Sequence, residues 1–416
     1  MVFLYSLAIR LYGLLLHLVA PFIPKAKQWV EGRRNWQAHV ATELGNDITP
    51  RLWVHCASLG EFEQGRPLME AMRLQYPHHK IVLTFFSPSG YEVRKQWPGA
   101  DYIYYLPLDT ATNARAFVAA VRPQLAVFVK YEFWYHHLAE LRRQDIPTVC
   151  VSAIFRPDQV FFKPWGGFFK GVLRQLAHIF TQDDASAELL RGIGLTQVSV
   201  AGDTRFDTVV ATAAAPARAL PVVAAFVADG APVLVAGSVW PPDVEALAPA
   251  LRGWSANLRT IVAPHEINEA HLQQVEAVLP GQVVRYSQAT PAAVAQARVL
   301  LIDNIGLLRE LYRVGSVAYI GGAFGKGLHN TLEAAAFGLP LLFGPRYQKF
   351  KEARDLVALG AAATLTTAEE TEQQLALLLN NAALRAELGQ RARAYVHESA
   401  GATGRIMLAL QKLLAR

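Results

Sequence analysis

The chain has 416 residues, long enough for two domains of ordinary size. Hydrophobic residues make up 52% and charged ones 18%, which excludes a disordered chain and calls for sizeable cores. A net charge of +6 points to an anionic partner, but the basic residues are scattered and no RNP, zinc-finger or helix-turn-helix pattern occurs, which argues against nucleic acid.

Residues 2–23 are apolar enough to meet a membrane and nearly long enough to cross it. Ser6, Arg10, Gly13 and His17 recur at helical spacing and form one polar stripe, with Leu, Phe and Tyr around the rest. Such a helix suits the bilayer interface, or a span packed on protein; a buried core helix is the alternative. Lys25, Lys27, Arg33 and Arg34 follow, so the downstream chain is expected on the cytoplasmic side. No basic segment precedes the apolar run, which argues against a cleaved signal peptide.

From residue 51, strand-like and helix-like stretches alternate. Strands are expected at 52–57, 80–86, 102–106, 125–129, 148–152 and 179–181, in a parallel, doubly wound sheet. Cys56 and Cys150 lie inside two of these runs and read as buried free thiols in a reducing compartment; no metal-ligand spacing occurs. Ligands of such sheets sit beyond the carboxyl ends of the strands, where two acidic residues fall. Ser58-Leu-Gly-Glu61 is either a capping box or the seat of a general base for a hydroxyl. Glu132, in KYEFW, reads from the residues alone as a strand-end charge paired with Lys130. Residues 154–174 interleave aromatic and basic side chains, as a bilayer headgroup zone, an acyl-chain cover or a core-facing loop would. Thr181-Gln-Asp-Asp184 reads as an N-cap.

Residues 211–221, small and proline-broken, read as an interdomain linker. A second series follows, with strands at 233–236, 259–263, 283–286, 299–302, 317–320 and 339–343. Between the last two lies GGAFGKGLHN and a short helix at 331–337. A strand, a glycine-rich loop and a helix in that order aim N–H groups and a positive helix end at an anion; tight βα packing is the plainer explanation of the glycines. Asn330 and Glu333 fit a capping box, or a Glu placed on ribose hydroxyls. Lys326 can approach an anionic ligand or face solvent. The tail from residue 368 is helical in pattern.

The stretch from Gly321 to Pro345, with its GG-A-F, G-L-HN-T-LE and G-L-P-L-L-FGP segments, resembles the donor-site signature of the Kdo (3-deoxy-manno-octulosonic acid) transferases. HCASLGE around Glu61 is similar to that family's HxAS-(L/I)-GE, and GDTRFD at 202–207 to its GNxKFD, with Arg205 in place of Lys. Gly237-Ser238 matches a family turn, Pro264-His265 stands where Pro-Arg-His is usual, and Asp303-Asn-Ile305-Gly306 resembles a D-T-M-G run. The resemblance implies a GT-B-type α/β fold of two Rossmann-like domains facing a cleft. Its parts would be a membrane-associated helix at 1–30, an acceptor domain at 31–211, a linker at 212–221, a CMP-sugar donor domain at 222–395, and a last helix at 396–416, with a return of that helix to the first domain as one option. It implies an inverting, metal-independent transfer of Kdo from CMP-Kdo to a lipid A precursor (lipid IVA), on the cytoplasmic face of the inner membrane, with no cofactor. Glu61 would be the base, and Glu132 and Arg205 would stabilise the transition state. Pro264, His265, Ile305, Gly306, Asn330 and Glu333 would hold CMP. A transferase with a UDP donor, a nucleotide-sugar epimerase of the same fold and a non-catalytic lipid-binding module are the alternatives.

Overall fold

The computed structural model describes residues 1–254, 258–325 and 327–415, and Lys326 lies outside them. Near-continuous apolar runs produce strands buried on both faces, as a parallel sheet covered by helices requires. The first sheet contains β1 (Arg51–Cys56), β2 (Lys80–Phe85), β3 (Tyr102–Tyr105), β4 (Pro123–Val129), β5 (Thr148–Ala153), β6 (His178–Thr181) and β7 (Val198–Val200). Its order is β3-β2-β1-β4-β5-β6-β7, and every pairing is parallel. The chain winds outward from β1 to β3, then returns to β4 and winds the other way. The reversal between β1 and β4 opens a crevice at their carboxyl ends.

The second sheet holds β8 (Val233–Val239), β9 (Arg259–Pro264), β10 (Val283–Arg285), β11 (Val299–Leu301), β12 (Val317–Ile320), β13 (Leu341–Phe343) and β14 (Ala362–Thr364). Its order is β10-β11-β9-β8-β12-β13-β14, which places the corresponding reversal between β8 and β12. β7 and β14, three residues each at a sheet edge, were not expected from the sequence.

The chain divides into two compact units, Met1–Asp207 with Ala400–Arg416, and Thr208–Ser399. The stretch expected as a linker at 212–221 is shorter than that: the helix Thr204–Ala214 runs into it, and a new helix begins at Pro221. The tail forms three helices, Ala368–Asn380, Ala382–Ser399 and Ala402–Leu414. The last belongs to the first unit, where Ile406, Met407 and Leu410 join the core formed by Leu68, Met69 and Met72. Asp207 fixes its start, accepting from the Thr403 N–H at 2.7 Å, the Thr403 hydroxyl at 2.6 Å and the Gly401 N–H.

The N-terminal helix, Val2–Val19, is long and apolar enough to cross a membrane by length and composition. One side packs on the first unit. Tyr5 donates to Asp109 at 2.6 Å, Ser6 meets His136 at 2.9 Å, and Gly13 lies so close to Leu108 that a Cβ would come within 2.6 Å of it. Phe3, Leu7, Leu11, Leu14 and Leu18 stay exposed. The stripe expected from sequence splits: Ser6 and Gly13 face protein, whereas Arg10 and His17 are exposed. In the aromatic–basic segment 154–174, Phe155 and Phe161 are core residues while Trp165 is exposed.

Candidate active site

At the end of β1 the chain turns through Ser58 into the helix Leu59–Gln75, and Glu61 sits in its first turn. A carboxylate there is favoured by the positive end of the helix. Ser58 makes no side-chain bond to the helix backbone; its hydroxyl donates to Glu61 Oε2 instead. The two side chains therefore engage each other, and the capping-box expectation fails in its Ser58 half.

One strand across, β4 ends at Lys130, whose φ of +62° is uncommon for a residue with a Cβ and turns the backbone sharply. Glu132 follows. Its Oε2 accepts from Trp134 Nε1 at 2.7 Å and lies 3.4 Å from His55 Nε2. Trp134 stacks on Phe86, with centroids 4.6 Å apart. Burial, then the charges of Glu61 and Glu132, push the Cys56 thiol well above its ordinary range.

Arg205 follows β7. Asp203 accepts from its backbone N–H at 2.9 Å, its Nε at 2.8 Å and its Nη2 at 2.7 Å, so the guanidinium is gripped along one edge. Gln64 reaches Asp203 at 3.4 Å, and the Thr204 hydroxyl donates to the Gln64 carbonyl at 2.5 Å. The start of the helix that carries Arg205 is therefore fastened to the helix that carries Glu61, about one turn further along.

In the second unit, Asp243 organises the ends of β8 and β12. It accepts from the Trp240 N–H at 2.8 Å, the Gly322 N–H at 2.9 Å and the Tyr319 hydroxyl at 2.8 Å, and burial raises its pKa. A Cβ at Gly321 would lie 2.3 Å from the Ser238 carbonyl oxygen, so this position excludes any side chain. A cavity of about 180 Å³ opens beyond β8, β9 and β11. Its wall includes Ser238, Pro264, His265, Ile305 and Gly306, which brings four of the expected donor-site residues together. Asn330 and Glu333 sit on the next connection. The Asn330 side chain accepts from the Leu332 N–H at 3.1 Å, and Glu333 pairs with Arg309 at 3.2 Å. Thr331, not Asn330, is the N-cap, so the reciprocal capping box expected here is not formed.

His329 stacks on His265 at 4.3 Å and accepts at Nε2 from Trp240 Nε1, 3.1 Å away. An indole can only donate, so the His329 proton resides on Nδ1. Burial, and then the neighbouring His265, pull its pKa down to about 4.

Residues 30–208 match the family model described as 3-Deoxy-D-manno-octulosonic-acid transferase (kdotransferase), a span that holds Glu61, Glu132 and Arg205. The 3-deoxy-D-manno-octulosonic acid transferase of Bordetella pertussis is 28% identical over 432 residues, covering 97% of this chain and 99% of its own. The transferase of the same name from Chlamydophila psittaci is also 28% identical, over 84% of this chain and 82% of its own. The chain is a relative of the Kdo transferases. Its fold is of the GT-B type, shared with solved structures of differing activity. The UDP-GlcNAc 2-epimerase of Neisseria meningitidis bound to UDP-GlcNAc, at 13% identity, superposes with a TM-score of 0.61 over 87% of this chain and 100% of that one.

Sequence reasoning singled out the carboxylates and the arginine but missed the groups that hold them. Asp203 stands two residues before Arg205, a spacing at which an Asp commonly accepts from the backbone ahead. That was a usable signal. His55 heads the HCASLGE segment, but its pairing with Glu132, 77 residues away, and that of Trp240 with His329, 89 away, gave none, because strand order alone makes them neighbours.

Proposed function

We propose that the chain transfers Kdo from CMP-Kdo to a lipid A precursor, lipid IVA, with inversion at the anomeric carbon, at the cytoplasmic face of the inner membrane. The observation that carries this reading is Glu61 at a helix N-terminus beyond β1, with Glu132 beyond the adjacent β4. An acceptor hydroxyl of the lipid gives its proton to Glu61 as its oxygen bonds to the anomeric carbon. The bond from that carbon to the phosphate oxygen breaks, and CMP leaves with the electron pair. Glu132 is suited to the positive charge that develops on the sugar, and the Arg205 guanidinium to the phosphate. Arg205 and helix ends take the part a divalent ion would otherwise play. Pro264, His265, Ile305 and Gly306 form the wall expected to receive CMP, and Asn330 and Glu333, on the connection after β12, are assigned to the same nucleotide.

The exposed apolar row of the N-terminal helix supports a lipid acceptor and membrane docking, which an epimerase of this fold would not need. A UDP donor is the second reading, because a solved protein of this fold binds UDP-GlcNAc.

The test is mass-spectrometric analysis of a detergent reaction containing freshly made CMP-Kdo, a tetra-acylated lipid A precursor and EDTA. Mass gains of one or more Kdo units are expected, and CMP should compete with the donor better than UDP. Absence of product with CMP bound would exclude this acceptor. Displacement by UDP alone would exclude this donor.

A further inference from the structure

Trp53, His55 and Thr84 are polar groups wholly buried in the first sheet, on β1 and β2. Apolar residues of similar shape would fill this space without the cost of desolvating an imidazole, a hydroxyl and an indole N–H. The three are joined. Trp53 Nε1 donates to Thr84 Oγ1 at 2.8 Å, Thr84 Oγ1 lies 2.8 Å from His55 Nδ1, and His55 Nε2 faces Glu132 Oε2.

The direction of this chain follows from which groups can only donate or only accept. The indole donates, so it occupies a Thr84 lone pair. An ionised Glu132 accepts, so His55 must present a hydrogen on Nε2. Burial lowers the His55 pKa and outweighs the opposite pull of Glu132, so the ring is neutral and a lone pair is left on Nδ1. The single Thr84 hydroxyl hydrogen fills that position. His137, edge-on to Trp53, is the neighbouring imidazole and further disfavours charge on His55.

We propose that His55 is a positioning residue for Glu132: Thr84 and Trp53 fix its Nε2–H tautomer, and that N–H, with Trp134 Nε1–H, aims one oxygen of the Glu132 carboxylate. This rests on the role given to Glu132 above. Both donors converge on Oε2, so the carboxylate is held from one side.

Two measurements test it. Selective ¹⁵N-histidine labelling, with the His55 signal assigned by its loss in His55→Gln, reports the tautomer directly. A single Nε2–H form is expected in the wild type, and a mixture in Thr84→Val but not in Thr84→Ser. An Nδ1–H form in the wild type overturns the proposal. In turnover, misplacing a reacting group costs up to roughly 100-fold. His55→Leu is expected to lower kcat by about 10- to 100-fold with little change in KM for the donor. His55→Gln, which keeps an N–H at the same reach, should recover most of the loss, and Thr84→Ser should behave as wild type. Equal loss in His55→Leu and His55→Gln would mean that His55 only fills the core, and this overturns the proposal. Glu132→Gln separates the two levels. If it retains wild-type turnover, the role of Glu132 fails, and the positioning of Glu132 with it. If it is impaired while His55→Leu is not, only the positioning fails.

Discussion

Arg205 shows how much a single residue depends on its holder. Lysine, with one compact ammonium, would lose the edge-on grip that Asp203 exerts through Nε and Nη2. Arg205→Lys is expected to lower turnover about 10-fold, the order of one charge-assisted hydrogen bond. Asp203→Ala should do so at least as strongly, and the rate of CMP release reads both. His329 gives a pH prediction. Its folded pKa of about 4 lies below the ordinary value of ~6.5, so the folded state favours the neutral ring. That contribution is complete above the ordinary value and is lost as pH falls from there toward 4. Thermal unfolding followed from pH 8 to 4 should show this loss, and His329→Asn should flatten it. The sequence exposed Glu61, Glu132 and Arg205 because each belongs to a short motif at a strand end. Asp203 and Trp134 were missed although each has its partner two residues away, whereas the pairing of His55 with Glu132 spans 77 residues and no local pattern announces it.

At the scale of elements, β1, β2, β4 and β5 were legible because six or seven consecutive, mostly apolar and buried residues leave little choice but a central strand. β7 and β14 were not, since three residues carry no period, and only the neighbouring strand defines them. The helix starts misled in a consistent way. Ser58 and Glu61, like Asn330 and Glu333, have capping-box spacing, yet each Glu has another partner, Ser58's hydroxyl in one case and Arg309 in the other. A Glu with a better partner leaves the helix backbone to cap itself. Gly321 tests the donor loop. A methyl there meets the Ser238 carbonyl and the Val239 backbone, neither of which can move cheaply. Gly321→Ala is expected to cost about 1–3 kcal/mol and to weaken CMP binding, measured by denaturant unfolding and calorimetry.

At the scale of the whole molecule, the helix Ala402–Leu414 packs its Ile406, Met407 and Leu410 into the core of the first unit. The attachment of that helix through Asp207 depends on a contact across 196 residues, which no local pattern announces. Asp207→Ala should destabilise the first unit by about 1–2 kcal/mol, the value of a lost helix N-cap. The N-terminal helix was legible as a long apolar helix but not in its facing. Tyr5, Ser6 and Gly13 were selected by the protein surface beneath them. Replacing Leu7 and Leu14 by Glu should weaken co-sedimentation with anionic vesicles by 10-fold or more while CMP binding is unchanged.

The central claim is that Glu61 takes the acceptor proton. The measurement that tests it most directly is the turnover of Glu61→Gln with CMP-Kdo and the lipid A precursor, run alongside its affinity for CMP. Gln preserves the shape of the side chain and an oxygen for the Ser58 hydroxyl, and removes only the base. The account predicts a fall in kcat of roughly 10²- to 10⁴-fold with CMP affinity intact. Wild-type turnover in Glu61→Gln would contradict it and leave Glu61 a residue of the helix start alone.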